Sequence, residues 1–117
     1  MLDIKAFTPA VHRRLTGRDN ARSIRSAELL HASGRLHELR FLLIPGITDS
    51  QSELKLLAAF VKRLGTDVPV KLNAFQNHGV RGPARAWKAM TERGVDVAVG
   101  FLRATGLTNI KRPLVFP

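Results

Sequence analysis

Leu2, Ile4 and Ala6 alternate with Asp3 and Lys5, the period-two pattern of a short strand with one apolar face. Thr8 and Pro9 follow as cap and first helical position, where proline lacks only a donor that would have no partner. That helix runs to about Leu15 and stops near Gly17. Asn20 is placed to cap a second helix, with Ile24, Ala27, Leu29 and Leu30 as its apolar face and Gly34 at its stop. Leu39 to Ile44 holds the compact run RFLLI, closed by Pro45-Gly46, and its length suits a buried strand.

Ser50 and Glu53 have capping-box spacing, in which each side chain satisfies an orphan backbone donor at a helix start. Leu54, Leu57, Ala58, Val61 and Leu64 then recur at helical spacing up to Gly65. Val68 to Phe75 is a third strand, with Val70, Leu72 and Ala74 on one face. After the loop Asn77 to Gly82, Pro83 to Arg93 reads as a short helix with Ala86, Trp87 and Met90 inward. Val95 to Leu102 supports two readings. Its alternating valines suit a strand, while Ala98, Leu102 and Thr105 before Gly106 suit a helix. Ile110 to Phe116 is a last extended piece. The order β-α-α-β-α-β-α-α-β predicts an α/β fold, a parallel sheet with covering helices. Three or four such strands form a small open sheet or one half of a (β/α) barrel.

A chain of 117 residues and 12.9 kDa is one domain by size and can bury one real core. No apolar run approaches the roughly 20 residues of a membrane span, and the N-terminus has no secretory pattern. Cysteine is absent, so the chain itself offers no disulfide, thiolate-held metal or cysteine nucleophile. A reducing cytoplasm is the expected home. The net charge of +10 implies attraction to polyanions or an acidic partner.

Candidate chemistry is sparse. There is no GxGxxG, P-loop, GxSxG or HExxH. His12, His31, His37 and His78 do not pair at helical spacing, so no histidine metal site is expected. Parallel sheets place their sites at the C-terminal strand ends. There the chain offers Asp3 and Lys5 on one face, Arg40, Pro45-Gly46, Asn73, Gln76 and His78. Polar groups of both signs turned inward can hold a zwitterionic ligand such as an amino acid. An Asp–Lys pair that merely closes the barrel end remains the other reading.

The segments MLDIKAF, LTGRDN, RFLLIPGITDS, FQNHGVRG and LRATGL resemble the C-terminal half of glycyl-radical-enzyme activases, which are radical S-adenosylmethionine proteins. The Asp-x-Lys strand and the stretch Arg40-x-x-x-x-Pro45-Gly46-x-x-Asp49 are the most specific parts. The resemblance implies a partial (β/α)6 barrel, with this chain as a single half-barrel domain of strands four to six. It implies S-adenosylmethionine and a [4Fe-4S] cluster at the strand ends, a 5′-deoxyadenosyl radical, and a glycyl radical enzyme as partner. It implies that Asp3 and Lys5 hold the methionyl end of the cofactor. Arg40 would match the arginine opening the fifth strand, and Gln76 or His78 the position that approaches the nucleoside. It also makes 95–105 the last barrel helix.

The chain departs from that family in lacking the CxxxCxxC cysteines and the Gly-Gly-Glu stretch that grips the cofactor's amine. Both belong to the N-terminal half. The expected molecule is therefore a truncated or split activase, inactive alone, with no tightly held cofactor. Open strand edges predict self-association or pairing with the missing half. The alternative is a small basic module for nucleic acid or an acidic protein. Against nucleic acid, Tyr is absent, Trp occurs once and most Phe lie in apolar runs, which leaves no stacking platform.

Overall fold

In the computed structural model, residues 2–18, 20–76, 87–113 and 115 are described. Strand β1 is Leu2–Ile4, β2 Leu39–Leu43, β3 Val70–Ala74 and β4 Ile110–Lys111. They form one parallel sheet in the order β1-β2-β3-β4. Helices α1 (Pro9–Thr16) and α2 (Ala21–Ala32) join β1 to β2. Helix α3 (Gln51–Leu64) joins β2 to β3, and α4 (Glu92–Ala104) precedes β4. Sequential parallel order with helical crossovers is the arrangement expected of consecutive βα units.

Alternation along each strand sorts the two sheet faces. Ile4, Leu39, Phe41, Leu43, Val70 and Leu72 are buried on one face. They join Leu54, Leu57, Ala58 and Val61 of α3 and Val95, Ala98, Val99 and Leu102 of α4 in one cluster. Each Val, Leu, Ile or Phe among them contributes about 1.5–3 kcal/mol by leaving water. Asp3, Lys5, Arg40, Leu42, Lys71 and Asn73 occupy the opposite face and are half-buried or exposed. One cross-strand row there reads Asp3, Arg40, Lys71 and Lys111.

The two readings of 95–105 resolve to a helix. Val97 is 67% exposed between buried Val95 and Val99, and the neighbours Ala98 and Val99 are both buried, which fits a 3.6-residue period and not a period of two. Thr91 caps that helix by accepting the Gly94 N–H at 3.0 Å.

Several expectations are corrected. Trp87 to Met90 is not helical, because Thr91 is extended and starts α4 at Glu92. Met90 is still buried, and its N–H donates to the Phe75 carbonyl at 2.8 Å. Positions 83–86 of that expected helix lie outside the described residues. Asn20 does not cap α2. Its amide donates to the carbonyls of Ala6 (3.3 Å) and Phe7 (2.5 Å), tying the α1–α2 turn to the end of β1. Leu29 is 65% exposed and leaves the apolar face of α2 to Ala27, with Ile24 and Leu30 half-buried. Ser50 does cap α3, accepting the Glu53 N–H at 3.2 Å. The Glu53 carboxylate, however, turns away to the backbone of Phe7 and Thr8. The last strand is shorter than expected, with only Ile110 and Lys111 paired among the described residues.

Candidate functional site

A cleft of about 220 Å³ opens at the C-terminal ends of the strands. Lys5 enters it from just past β1, Leu42 and Ile44 from the end of β2, and Phe75 from just past β3. Trp87 closes one wall against Phe75, with ring centroids 5.7 Å apart and tilted by 56°. Leu15 and Thr16, from the last turn of α1, form the opposite rim.

The Pro45-Gly46-x-x-Asp49 stretch shapes the β2 corner. Thr48 is buried, donates to the Leu42 carbonyl at 2.6 Å and accepts the Ile44 N–H at 2.8 Å. The Asp49 carboxylate accepts the Gly46 N–H at 2.8 Å. Gly46 has φ of +75°, a left-handed conformation that a side chain resists. These bonds fix the backbone from which Leu42 and Ile44 face the cleft.

Lys5 and Asp3 leave the same face of the chain, and their side chains meet at 2.9 Å. Both remain more than 40% exposed, so the pair contributes little stability and the Lys5 ammonium keeps access to solvent. Arg40 shares the Asp3 row, but its Nε donates to Glu38 at 3.0 Å and it does not line the cleft. Lys111 also reaches Glu38, at 3.2 Å. The hydrogen bond from Arg40, then that from Lys111, holds the Glu38 carboxyl below its ordinary pKa. Asn73 pairs in register with Leu42, and Gln76 is half-buried without lining the cleft. His78 lies outside the described residues.

The structure thus brings Asp3 and Lys5 together and leaves Arg40 in a separate ion-pair group. Sequence reasoning missed Leu15, Thr16, Leu42, Ile44, Phe75 and Trp87 as cleft residues. The lone tryptophan was the available signal, but it read as a core residue of a helix. Chemically the cleft offers an apolar and aromatic wall with one ammonium and one hydroxyl. That set suits a ligand with an aromatic or aliphatic body and a carboxylate. Among the described residues no three His, Asp or Glu side chains gather as metal ligands.

Over 64 residues the chain is 36% identical to the pyruvate formate-lyase-activating enzyme of Streptococcus mutans, a match of 55% of this chain and 24% of that enzyme. By sequence the chain is activase-like. A crystallised domain of the pyruvate-formate lyase-activating enzyme from Bacteroides vulgatus shares its fold, with a TM-score of 0.73 and 16% identity over 94% of this chain and 63% of that one. A radical SAM methyltransferase from Sphaerobacter thermophilus does so too, with a TM-score of 0.68 and 18% identity over 94% of this chain and 32% of that one. At such identities these two likenesses carry the fold. No family model matches the chain. The activase-like chain spans about a quarter of the curated relative's length. None of its described helices is long and apolar enough to cross a membrane.

Proposed function

We propose that this chain is the C-terminal barrel portion, strands four to six, of a radical S-adenosylmethionine activase that generates a glycyl radical on a partner enzyme. The observation that carries this reading is the 36% identity with an activating enzyme. The position of the cleft at the strand ends agrees with it.

In this reading Lys5, steadied by Asp3, meets the carboxylate of the cofactor's methionyl end. Leu42, Phe75 and Trp87 cover an apolar side of the ligand. Arg40, Gln76 and His78 are the proposed further contacts. The cleft is smaller than the roughly 300–1,000 Å³ of complete small-molecule sites, which fits a half-site that more chain would complete. An iron–sulfur cluster does not fit this chain, because it supplies no thiolate. The cluster and its electron have to come from a cysteine-bearing portion. When bound there, S-adenosylmethionine supplies the radical chemistry, and this chain's residues orient it.

The test is reassembly. The chain is co-expressed with the cysteine-bearing portion of a pyruvate formate-lyase activase, reconstituted anaerobically with iron and sulfide, and given S-adenosylmethionine and a low-potential chemical reductant. The pair should form 5′-deoxyadenosine, and Lys5→Ala should lose it. A reconstituted pair that binds a cluster but forms no 5′-deoxyadenosine overturns the reading. For the chain alone, calorimetry should give millimolar affinity for S-adenosylmethionine or none. Each missing charge-assisted contact removes roughly 1.5–3 kcal/mol, so several weaken binding by about three orders of magnitude.

A further inference from the structure

Behind the Thr16 rim, the chain turns from α1 into α2 and brings three arginines to one groove. Arg13 leaves the last turn of α1, Arg18 the connecting turn and Arg22 the first turn of α2. With Gly17 they line a groove of about 550 Å³. Among the described residues no acidic side chain lines it. Among the described residues, none of the three guanidinium groups has a hydrogen-bond or ion-pair partner. Asp19, next to Arg18 in the sequence, lies outside the described residues.

The turn that gathers these charges is tightly fixed. The Gly17 N–H donates to the Arg13 carbonyl at 2.7 Å, with Gly17 at φ of +77°. The buried His12 ring meets the Arg18 carbonyl through Nδ1 at 2.7 Å, and the Thr16 hydroxyl donates to the same carbonyl at 3.1 Å. Backbone bonds therefore set where the Arg18 side chain departs, and like charges converge at a fixed corner at an electrostatic cost. The space beside the Gly17 Cα is open, so a ligand can approach the main chain there.

We propose that this corner binds a single phosphate group, as the free ion or as a small phosphomonoester. Guanidinium forks match phosphate oxygens two at a time, and a tetrahedral dianion presents enough oxygens for three of them. A carboxylate would saturate one or two. The charges form one compact corner, and among the described residues no aromatic side chain lines it. That favours a small anion over a nucleic-acid backbone, which needs a longer cationic track or a stacking surface.

The experiment is a titration of the full chain with inorganic phosphate at constant ionic strength, followed by amide NMR. Saturable millimolar shifts are expected at Gly17 and Arg22. Arg18→Gln should weaken them about tenfold or more, as loss of a charge-assisted contact requires. Arg112→Gln, which removes a cation already paired with Asp96, should leave the affinity unchanged. Tighter binding of methyl phosphate than of inorganic phosphate assigns the group to an ester, and the reverse order to the free ion. The proposal is overturned by unsaturable shifts, by shifts that survive Arg18→Gln, or by duplex DNA displacing phosphate with a steep salt dependence.

Discussion

The Glu53 carboxylate on α3 accepts the Thr8 backbone N–H at 2.6 Å, 45 residues away in sequence. Its other oxygen takes the Phe7 N–H at 2.8 Å. Glu53 is 1% exposed, so this buried acid joins the end of β1 to the start of α3. It sits beneath the segment that carries Lys5 into the cleft.

Glu53→Ala leaves the buried Phe7 N–H and the half-buried Thr8 N–H without an acceptor. Each charge-assisted bond is worth roughly 1.5–3 kcal/mol, so the loss should be about 3 kcal/mol or more. Glu53→Gln keeps one acceptor oxygen and should fall between the two. Urea unfolding of the full chain measures both. Equal stability of Glu53→Ala and the parent would contradict this role.

Most of the fold was legible because apolar periodicity is local. Leu39, Phe41 and Leu43 alternate, and Leu54, Leu57, Ala58 and Val61 step at helical spacing, and both sets are buried. The Asp3–Lys5 pair was legible for the same reason, since two residues on one strand share a face. Polar partners were not. The Ser50 and Glu53 spacing fits a local box, yet Glu53 finds donors that only tertiary folding brings near. Asn20 likewise chose the carbonyls of Ala6 and Phe7 over its own helix. The Trp87 segment misled because Trp87 and Met90 are spaced like a helical face, while Met90 is held by the Phe75 carbonyl.

Glu38 gives the fold an acid-sensitive contact. Arg40 and Lys111 lower its pKa in the folded state. A lowered acid contributes its stability above the unfolded pKa of about 4.3 and loses it as pH falls toward the folded value. The partners are partly solvated, so the contribution is under about 1 kcal/mol. Glu38→Gln should therefore be less stable than the parent at neutral pH. The gap should narrow as pH falls below the unfolded value and through the lowered folded one. A gap that persists unchanged in acid would rule out the carboxylate's charge as its source.

The edges of the sheet set the molecule's behaviour in solution. Among the described residues, β1 pairs only with β2 and β4 only with β3. The Leu2 N–H donates inward to the Glu38 carbonyl at 2.9 Å, so strand alternation aims the Asp3 N–H at the open edge. An unpaired row of this kind is a template for another strand. The chain should therefore run larger than 12.9 kDa by light scattering, with the Asp3 amide protected from exchange in the assembly. Asp3→Pro removes that outward donor and leaves the inward Leu2 bond, because proline is tolerated at an edge position that faces away from the sheet. It should shift the chain toward monomer while the α3 and α4 amides stay protected. A parent chain that is already a clean monomer would show that the β1 edge is not the pairing surface.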